Sequence, residues 1–155
     1  RAFDSLRRYI VNPPIMRLPD LSEQFVLQTD ASNQGLGAIH LQEVEGVKHP
    51  IMFASRKLLP REQNHSTIER ECLAIVWGIQ KFQVYLYGRQ FVLETDHQPL
   101  QYLHRTKFEN GRLMRWALAL QPYRFVIHAI KGSENVGADY LSRNYSDGCD
   151  AVESD

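Results

Sequence analysis

Seven apolar residues, Ile68, Cys72, Ile75, Val76, Ile79, Phe82 and Leu86, recur at helical spacing, directly after a stretch whose apolar residues alternate. That change of period restricts the chain to layered architectures in which a helix covers the sheet that precedes it. The spacing predicts one long amphipathic helix over residues 67–87. Ser66-Thr67-Ile68-Glu69 has capping-box spacing at its start, and Gly88 closes it. Ahead of the helix, residues 25–30, 36–41 and 47–54 read as three strands, joined by turns at Ser32-Asn33-Gln34-Gly35 and Glu45-Gly46. Such tight connections imply an antiparallel meander.

Residues 90–95 read as a fourth strand. Pro99 lies near the start of a short helix through Leu103, and Asn110 caps another running to Leu120, stopped before Pro122. A fifth strand over 124–130 and a short helix over 134–143 complete the pattern. At the other end, residues 2–11 carry a helix-like pattern (Phe3, Leu6, Ile10) closed by Asn12-Pro13-Pro14. The long helix must carry strand three to strand four as a crossover. The prediction is an α/β fold, a mixed sheet with helices packed on it.

At 155 residues the chain fits one globular domain. No apolar run approaches the roughly 18 residues of a membrane span, so no membrane partner is expected. Cys72 and Cys149 make neither a disulfide framework nor a zinc set, which fits a reducing, intracellular compartment. The chain begins at Arg1 rather than Met and reads as a segment of something longer. Lys+Arg and Asp+Glu balance at 18 each, but unevenly. The last twelve residues take four of the acids (Asp147, Asp150, Glu153, Asp155) and no Lys or Arg, leaving 14 acids against 18 basic residues elsewhere. Charge therefore permits a nucleic-acid partner without demanding one.

Four acids stand apart from the solvated majority. Asp30 and Asp96 each end an alternating run, Phe25-Val-Leu-Gln-Thr-Asp30 and Phe91-Val-Leu-Glu-Thr-Asp96, so neighbouring strands would bring both carboxylates to one sheet edge. Glu71 lies early in the long helix on the face of Ile68 and Ile75, and Asp139 is flanked by apolar residues on the last helix. Converging carboxylates without paired Lys or Arg repel one another, and a hard divalent cation such as Mg²⁺ removes that cost. Two such ions about 3.5–4 Å apart can drive phosphodiester hydrolysis. Strand-end Asp residues are also ordinary turn formers, and Asp139 an ordinary helix-surface acid. Spacing alone leaves both readings open.

At these residues the chain resembles the ribonuclease H domain of reverse transcriptases from gypsy-type long-terminal-repeat retrotransposons. The resemblance is carried by Thr29-Asp-Ala-Ser-Asn-Gln-Gly-Leu-Gly-Ala38, Pro50-Ile-Met-Phe-Ala-Ser-Arg-Lys-Leu58 and Ser66-Thr-Ile-Glu-Arg-Glu-Cys-Leu-Ala-Ile75. It continues through Tyr85-Leu86, Thr95-Asp-His-Gln-Pro-Leu100 and Gly132-Ser-Glu-Asn-Val-Gly-Ala-Asp-Tyr-Leu-Ser-Arg143. The similarity implies a ribonuclease H-like fold, a five-stranded mixed sheet with flanking helices, over residues 21–143. Residues 1–20 then resemble the end of an upstream polymerase part, and 144–155 an acidic flexible linker.

The resemblance also implies a metal-dependent endonuclease for the RNA strand of RNA·DNA hybrids, working beside the polymerase domain of one polyprotein. Its setting would be the cytoplasm or a virus-like particle. The catalytic and metal-holding acids carry over as Asp30, Glu71, Asp96 and Asp139, with two Mg²⁺ ions for which Mn²⁺ can substitute. Glu71 is preferred over Glu69 because the family's acid precedes a Leu-x-Ala-like stretch, here Cys72-Leu73-Ala74; Glu69 keeps the capping role. Reading of 2′-hydroxyls falls to Ala31, Ser32 and Gln98, and backbone-tracking charge to Arg56, Lys57, Arg70, Arg112 and Arg115. Trp77 and Trp116 read as core. The family's mobile loop His, before a Lys-Gly pair, is Ile130 here, and His128 reads as a strand residue. A host-recruited or catalytically weak binding module is the alternative reading, and an integrase-type strand transferase ranks after it. Oligomeric state is not legible.

Overall fold

The computed structural model describes residues 23–129 and 148–151. Strands β1 (Gln24–Ala31), β2 (Gly35–Val44) and β3 (Val47–Lys57) form the expected antiparallel meander. Ser32 builds its first turn: its N–H donates to the Gly35 carbonyl at 2.9 Å, and its hydroxyl accepts from the Gln34 and Gly35 N–H groups at 3.2 and 3.1 Å. The second turn places Glu45 at φ 53° and Gly46 at φ 78°, the pair of left-handed residues that a tight hairpin twist requires.

A helix not expected from the sequence, α1 (Pro60–Gln63), follows β3. It is held by Glu62, whose buried carboxylate accepts from the Leu59 N–H at 2.8 Å and pairs with both terminal nitrogens of Arg56 at 2.7 and 2.9 Å. Next comes α2 (Thr67–Lys81), opened by the predicted capping box. The single helix expected over 67–87 is in fact two. Phe82 leaves the helical region (φ −107°, ψ 23°), and a separate turn, α3 (Gln83–Leu86), follows. The bend keeps both Phe82 and Leu86 buried. Apolar spacing is unchanged by it, so periodicity could not reveal the break. Gly88, at φ 80°, ends the element.

Strand β4 (Gln90–Glu94) leads into α4 (Gln98–Thr106), α5 (Gly111–Leu120) and β5 (Arg124–His128). Asn110 caps α5 through its side-chain oxygen, which accepts the Arg112 N–H at 2.8 Å. The five predicted strands stand in the order β5-β4-β1-β2-β3, with β4 parallel to both β1 and β5. From the segment expected as a linker, β6 (Gly148–Ala151) joins antiparallel to β3, from Ser55↔Gly148 to Met52↔Ala151. The helices expected over 2–11 and 134–143 lie outside the described residues.

Helix α2 lies on β1 and β2, burying Phe25, Leu27, Ile75, Ile79, Phe91 and Leu93 in one core. Burial of each such side chain contributes about 1.5–3 kcal/mol. The closest approach is at Gly78, where an added Cβ would lie 2.9 Å from Thr29 Cγ2 and 3.3 Å from Ala38 Cβ. Thr29 is buried and stiff at χ1, so it cannot turn aside. Gly78→Ala is therefore expected to destabilise the chain by about 1–2 kcal/mol, overpacking outweighing the helix-propensity gain of about 1 kcal/mol. Urea denaturation would measure it, and a variant as stable as the parent would contradict this packing.

His40 of β2 is fully buried among Phe25, Tyr85 and Phe82, at ring-centroid distances of 4.8, 4.9 and 5.4 Å. Neither ring nitrogen has a hydrogen-bond partner among the described residues. Burial lowers its pKa to about 4.

Candidate active site

Parallel pairing fixes the relation of the two strand-end acids. Val26↔Val92, Leu27↔Leu93 and Gln28↔Glu94 keep one constant offset. The same offset, counted two residues past the last pair, relates Asp30 to Asp96, so both acids stand at the same end of these strands. Asp30, half-buried, ends β1 opposite Gly37 of β2. Asp96 is exposed just beyond β4, and its Oδ1 accepts the Gln98 N–H at 3.0 Å, tying the carboxylate to the first residue of α4.

Glu71 arrives from α2. The adjacent thiol of Cys72 donates to the Pro99 carbonyl at 2.9 Å, which pins this part of α2 against the start of α4. Burial, and then the Glu71 and Glu69 charges, push that thiol's pKa up to about 12, so Cys72 is a packing residue rather than a nucleophile. Glu71 is half-buried, and its carboxyl is raised above the ordinary range, first by burial and then by the negative charge of Asp96, with Arg70 opposing. The Asp96 charge thus reaches Glu71 across the α2–α4 contact. Among the described residues, no salt bridge forms to Glu71 or Asp96.

Glu69 differs. It accepts from the Ser66 N–H and hydroxyl at 3.2 and 3.1 Å and pairs with Arg112 at 2.6 Å. Burial opposes its ionisation, but these bonds hold the carboxyl below its usual value. Helical spacing left both glutamates beside the apolar face, whereas bonding separates them: Glu69 is consumed by the cap and Arg112.

Asp139 lies outside the described residues. No three His, Cys, Asp or Glu side chains among the described residues close into a metal-holding group. What the described part offers is a set of carboxylate oxygens, with the Glu71 carboxyl raised by burial and then by the like charge of Asp96. That chemistry fits a hard divalent cation.

The basic residues divide. Arg56 is committed to Glu62, and Arg112 to Glu69 and the Trp116 ring, whose centroid is 5.4 Å away. Arg70 donates to the His65 carbonyl at 2.6 Å and the Thr67 hydroxyl at 3.3 Å, bracing the start of α2. Lys57, Arg115 and Gln98 are exposed, Ala31 is half-buried, and Ser32 is buried in its turn. Trp77 and Trp116 pack against the core. His128 is exposed at the end of β5, and its carbonyl accepts the Thr95 N–H at 3.2 Å. Sequence reading missed Glu94, a buried carboxylate held by Lys48 at 2.8 Å and Gln28 at 3.2 Å. The signal was present: Gln28 and Glu94 stand two residues before Asp30 and Asp96 in the same paired register.

Comparison with known proteins bears on the family and the fold. Residues 20–123 match the family model described as the RNase H-like domain found in reverse transcriptase. The chain is 50% identical over 142 residues to the retrovirus-related Pol polyprotein from transposon 297 of Drosophila melanogaster, covering 92% of this chain and 13% of that protein. Identity to the Pol polyprotein from transposon 412 of the same organism is 41% over 143 residues, covering 92% and 12%. The chain therefore spans about an eighth of the length of these relatives. Among solved structures, the foamy viral protease-reverse transcriptase dRH in complex with double-stranded DNA superposes with a TM-score of 0.62 at 16% identity, over 83% of this chain and 23% of that one. The foamy viral protease-reverse transcriptase in complex with RNA/DNA hybrid gives 0.58 at 18% identity, over 76% and 16%.

Proposed function

The chain belongs to the RNase H-like domain family found in reverse transcriptases, and from that membership we propose that it hydrolyses the RNA strand of RNA·DNA hybrids as part of a retrotransposon Pol polyprotein. The observation that carries the reading is the shared β1–β4 offset that relates Asp30 to Asp96, with the Cys72–Pro99 contact bringing the Glu71 turn of α2 to the start of α4. Asp30, Glu71, Asp96 and Asp139 would hold two Mg²⁺ or Mn²⁺ ions, which when bound supply Lewis acidity and a nucleophilic water.

The chain's own part is positioning. The Gln98 N–H fixes the Asp96 carboxylate, the Cys72–Pro99 contact brings Glu71 to it, and the Ser32 turn follows Asp30 directly. Backbone groups around Ala31, Ser32 and Gln98 face the substrate's wide minor groove, where 2′-hydroxyls distinguish RNA. Lys57 and Arg115, both exposed, track phosphates.

The test is hydrolysis of an end-labelled hybrid with Mg²⁺ or Mn²⁺. RNA should be cut to 3′-hydroxyl and 5′-phosphate ends, while duplex DNA stays intact. Preferential cutting of duplex DNA would refute the substrate assignment, and binding of hybrid without cutting would favour a non-catalytic module.

A second expectation concerns the metal itself. A carboxyl raised in the folded state favours its protonated form there, so Glu71 contributes stability at acid pH that is lost as pH rises through its folded value. At neutral pH a bound cation restores that loss. Mn²⁺ at a hundred times its dissociation constant should stabilise the chain by about 2.7 kcal/mol. Glu71→Gln should melt higher than the parent without metal and gain far less from it. Thermal melts of both proteins would decide, and an equal gain in both would remove Glu71 from the ligand set.

A further inference from the structure

We propose that the contact joining Gln28, Glu94 and Lys48 is a positioning device that sets the gap between Asp30 and Asp96 for Mg²⁺, an inference that rests on the metal-site reading above. Glu94 is 4% exposed. Its carboxylate accepts from the Gln28 side-chain amide at 3.2 Å and lies 2.8 Å from Lys48 Nζ. Leu27 and Thr29 meet Gly78 of α2, and Leu93 joins the same core, so by strand alternation Gln28 and Glu94 face the other side of the sheet. A buried ion pair adds little net stability compared with apolar packing, so stability does not account for this one.

Its place in the sheet does. Gln28↔Glu94 is the last paired rung between β1 and β4 among the described residues. Asp30 follows Gln28 within β1, and Asp96 follows Glu94 just beyond β4. Past the rung each strand end keeps a different neighbour: β1 goes on pairing with β2 as far as Ala31, and the Thr95 N–H donates to the His128 carbonyl of β5 at 3.2 Å. The Gln28–Glu94 bond therefore ties the two strands at the point where they begin to part, and so governs the separation of the two carboxylates.

Lys48 reaches this rung only because the β2–β3 hairpin curls. Across the ladder Glu94 aligns with Gln28, Ile39 and Phe53 in turn, and Lys48 precedes Phe53 well back along β3. On a flat sheet it would lie about 16 Å along the strand and about 14 Å across, beyond the reach of a lysine side chain. A register shift at His40 and Leu41 bends the hairpin and carries its far end over the face away from α2. The ammonium then supplies the counter-charge for the buried carboxylate. The gap so fixed matters because ligands must be held to within about 0.5 Å. Mg²⁺ takes near-ideal octahedral geometry at about 2.0–2.1 Å, whereas Ca²⁺ accepts looser and more variable shells. Carboxylates held at one separation therefore favour Mg²⁺, and strand ends free to splay give up that preference.

Melting temperatures titrated with Mg²⁺ and, separately, with Ca²⁺ test the proposal with no cleavage read. Glu94→Leu should raise the half-saturating Mg²⁺ concentration by about tenfold or more, and that of Ca²⁺ by less than about threefold. Gln28→Leu keeps the Lys48–Glu94 pair and should show the same selective loss, so it decides alone should Glu94→Leu fail to fold. The two substitutions together should be no worse than either, because each removes the same bond. Glu94→Gln retains an oxygen to accept from Gln28 and should hold Mg²⁺ within about threefold of the parent. Equal losses for the two ions would overturn the proposal, leaving the pair only to fasten the hairpin. A parent that responds to neither ion would sink the metal-site reading and this proposal with it, whereas a responsive parent beside unchanged variants removes this proposal alone.

Discussion

Asp96→Asn is expected to leave a folded chain that cuts hybrid at least about a thousandfold more slowly, roughly 4 kcal/mol of lost transition-state stabilisation. Asparagine keeps the shape of the side chain and the oxygen that accepts the Gln98 N–H, so the start of α4 stays in place. What disappears is the charge that holds a cation and that acts on Glu71. The metal-free variant should therefore melt no lower than the parent, because a like-charge repulsion has been removed. Single-turnover cleavage under saturating metal is the measurement. Glu69→Gln is the contrast. It weakens a cap and the Arg112 ion pair, and should cost stability of about 1 kcal/mol while leaving the rate within tenfold. An Asp96→Asn protein cutting at the parent's rate would end the assignment.

The second large effect is on stability, and His40 causes it. In the unfolded chain this imidazole takes up a proton near 6.5, in the folded chain only near pH 4. Between those values the unfolded state binds more protons, so stability falls as pH falls from 6.5 and levels off below about 4. The gap, at 1.36 kcal/mol per pH unit, comes to roughly 3 kcal/mol. His40→Leu should flatten that part of the profile. At pH 7 it should cost little, because the ring nitrogens have no hydrogen bonds among the described residues to lose. Urea midpoints at pH 7 and 4.5 for both proteins give the answer. Parallel acid losses in the two would place the cause elsewhere.

Most of the frame was legible because its signals are local. The Ser66–Glu69 box and the Asn110 cap are short-range bonds written in adjacent residues, and both form as read. Features set by distant partners were not. The break at Phe82 leaves apolar spacing intact and is visible only in the backbone angles. Helix α1 is four residues long, too short for a period, and depends on Arg56 reaching Glu62. Strand β6 has the composition of a linker, and pairing with β3 makes it a strand. At the candidate site, the repeated Thr-Asp endings indicated two equivalent strand ends, but not that the strands run parallel and adjacent. Charge counting could not show that Arg56 and Arg112 are committed to glutamates.

The shared offset between β1 and β4 makes this region intolerant of length change. Side chains alternate across a strand, so one residue inserted between Phe91 and Asp96 would invert every later side chain of β4 and carry Asp96 past Asp30. Substitutions that keep the strand length leave this register intact, whereas an insertion or deletion within either strand is expected to break it. Length variation among copies of the element should collect instead in the four-residue connection from Lys107 to Asn110, where an added residue disturbs no register.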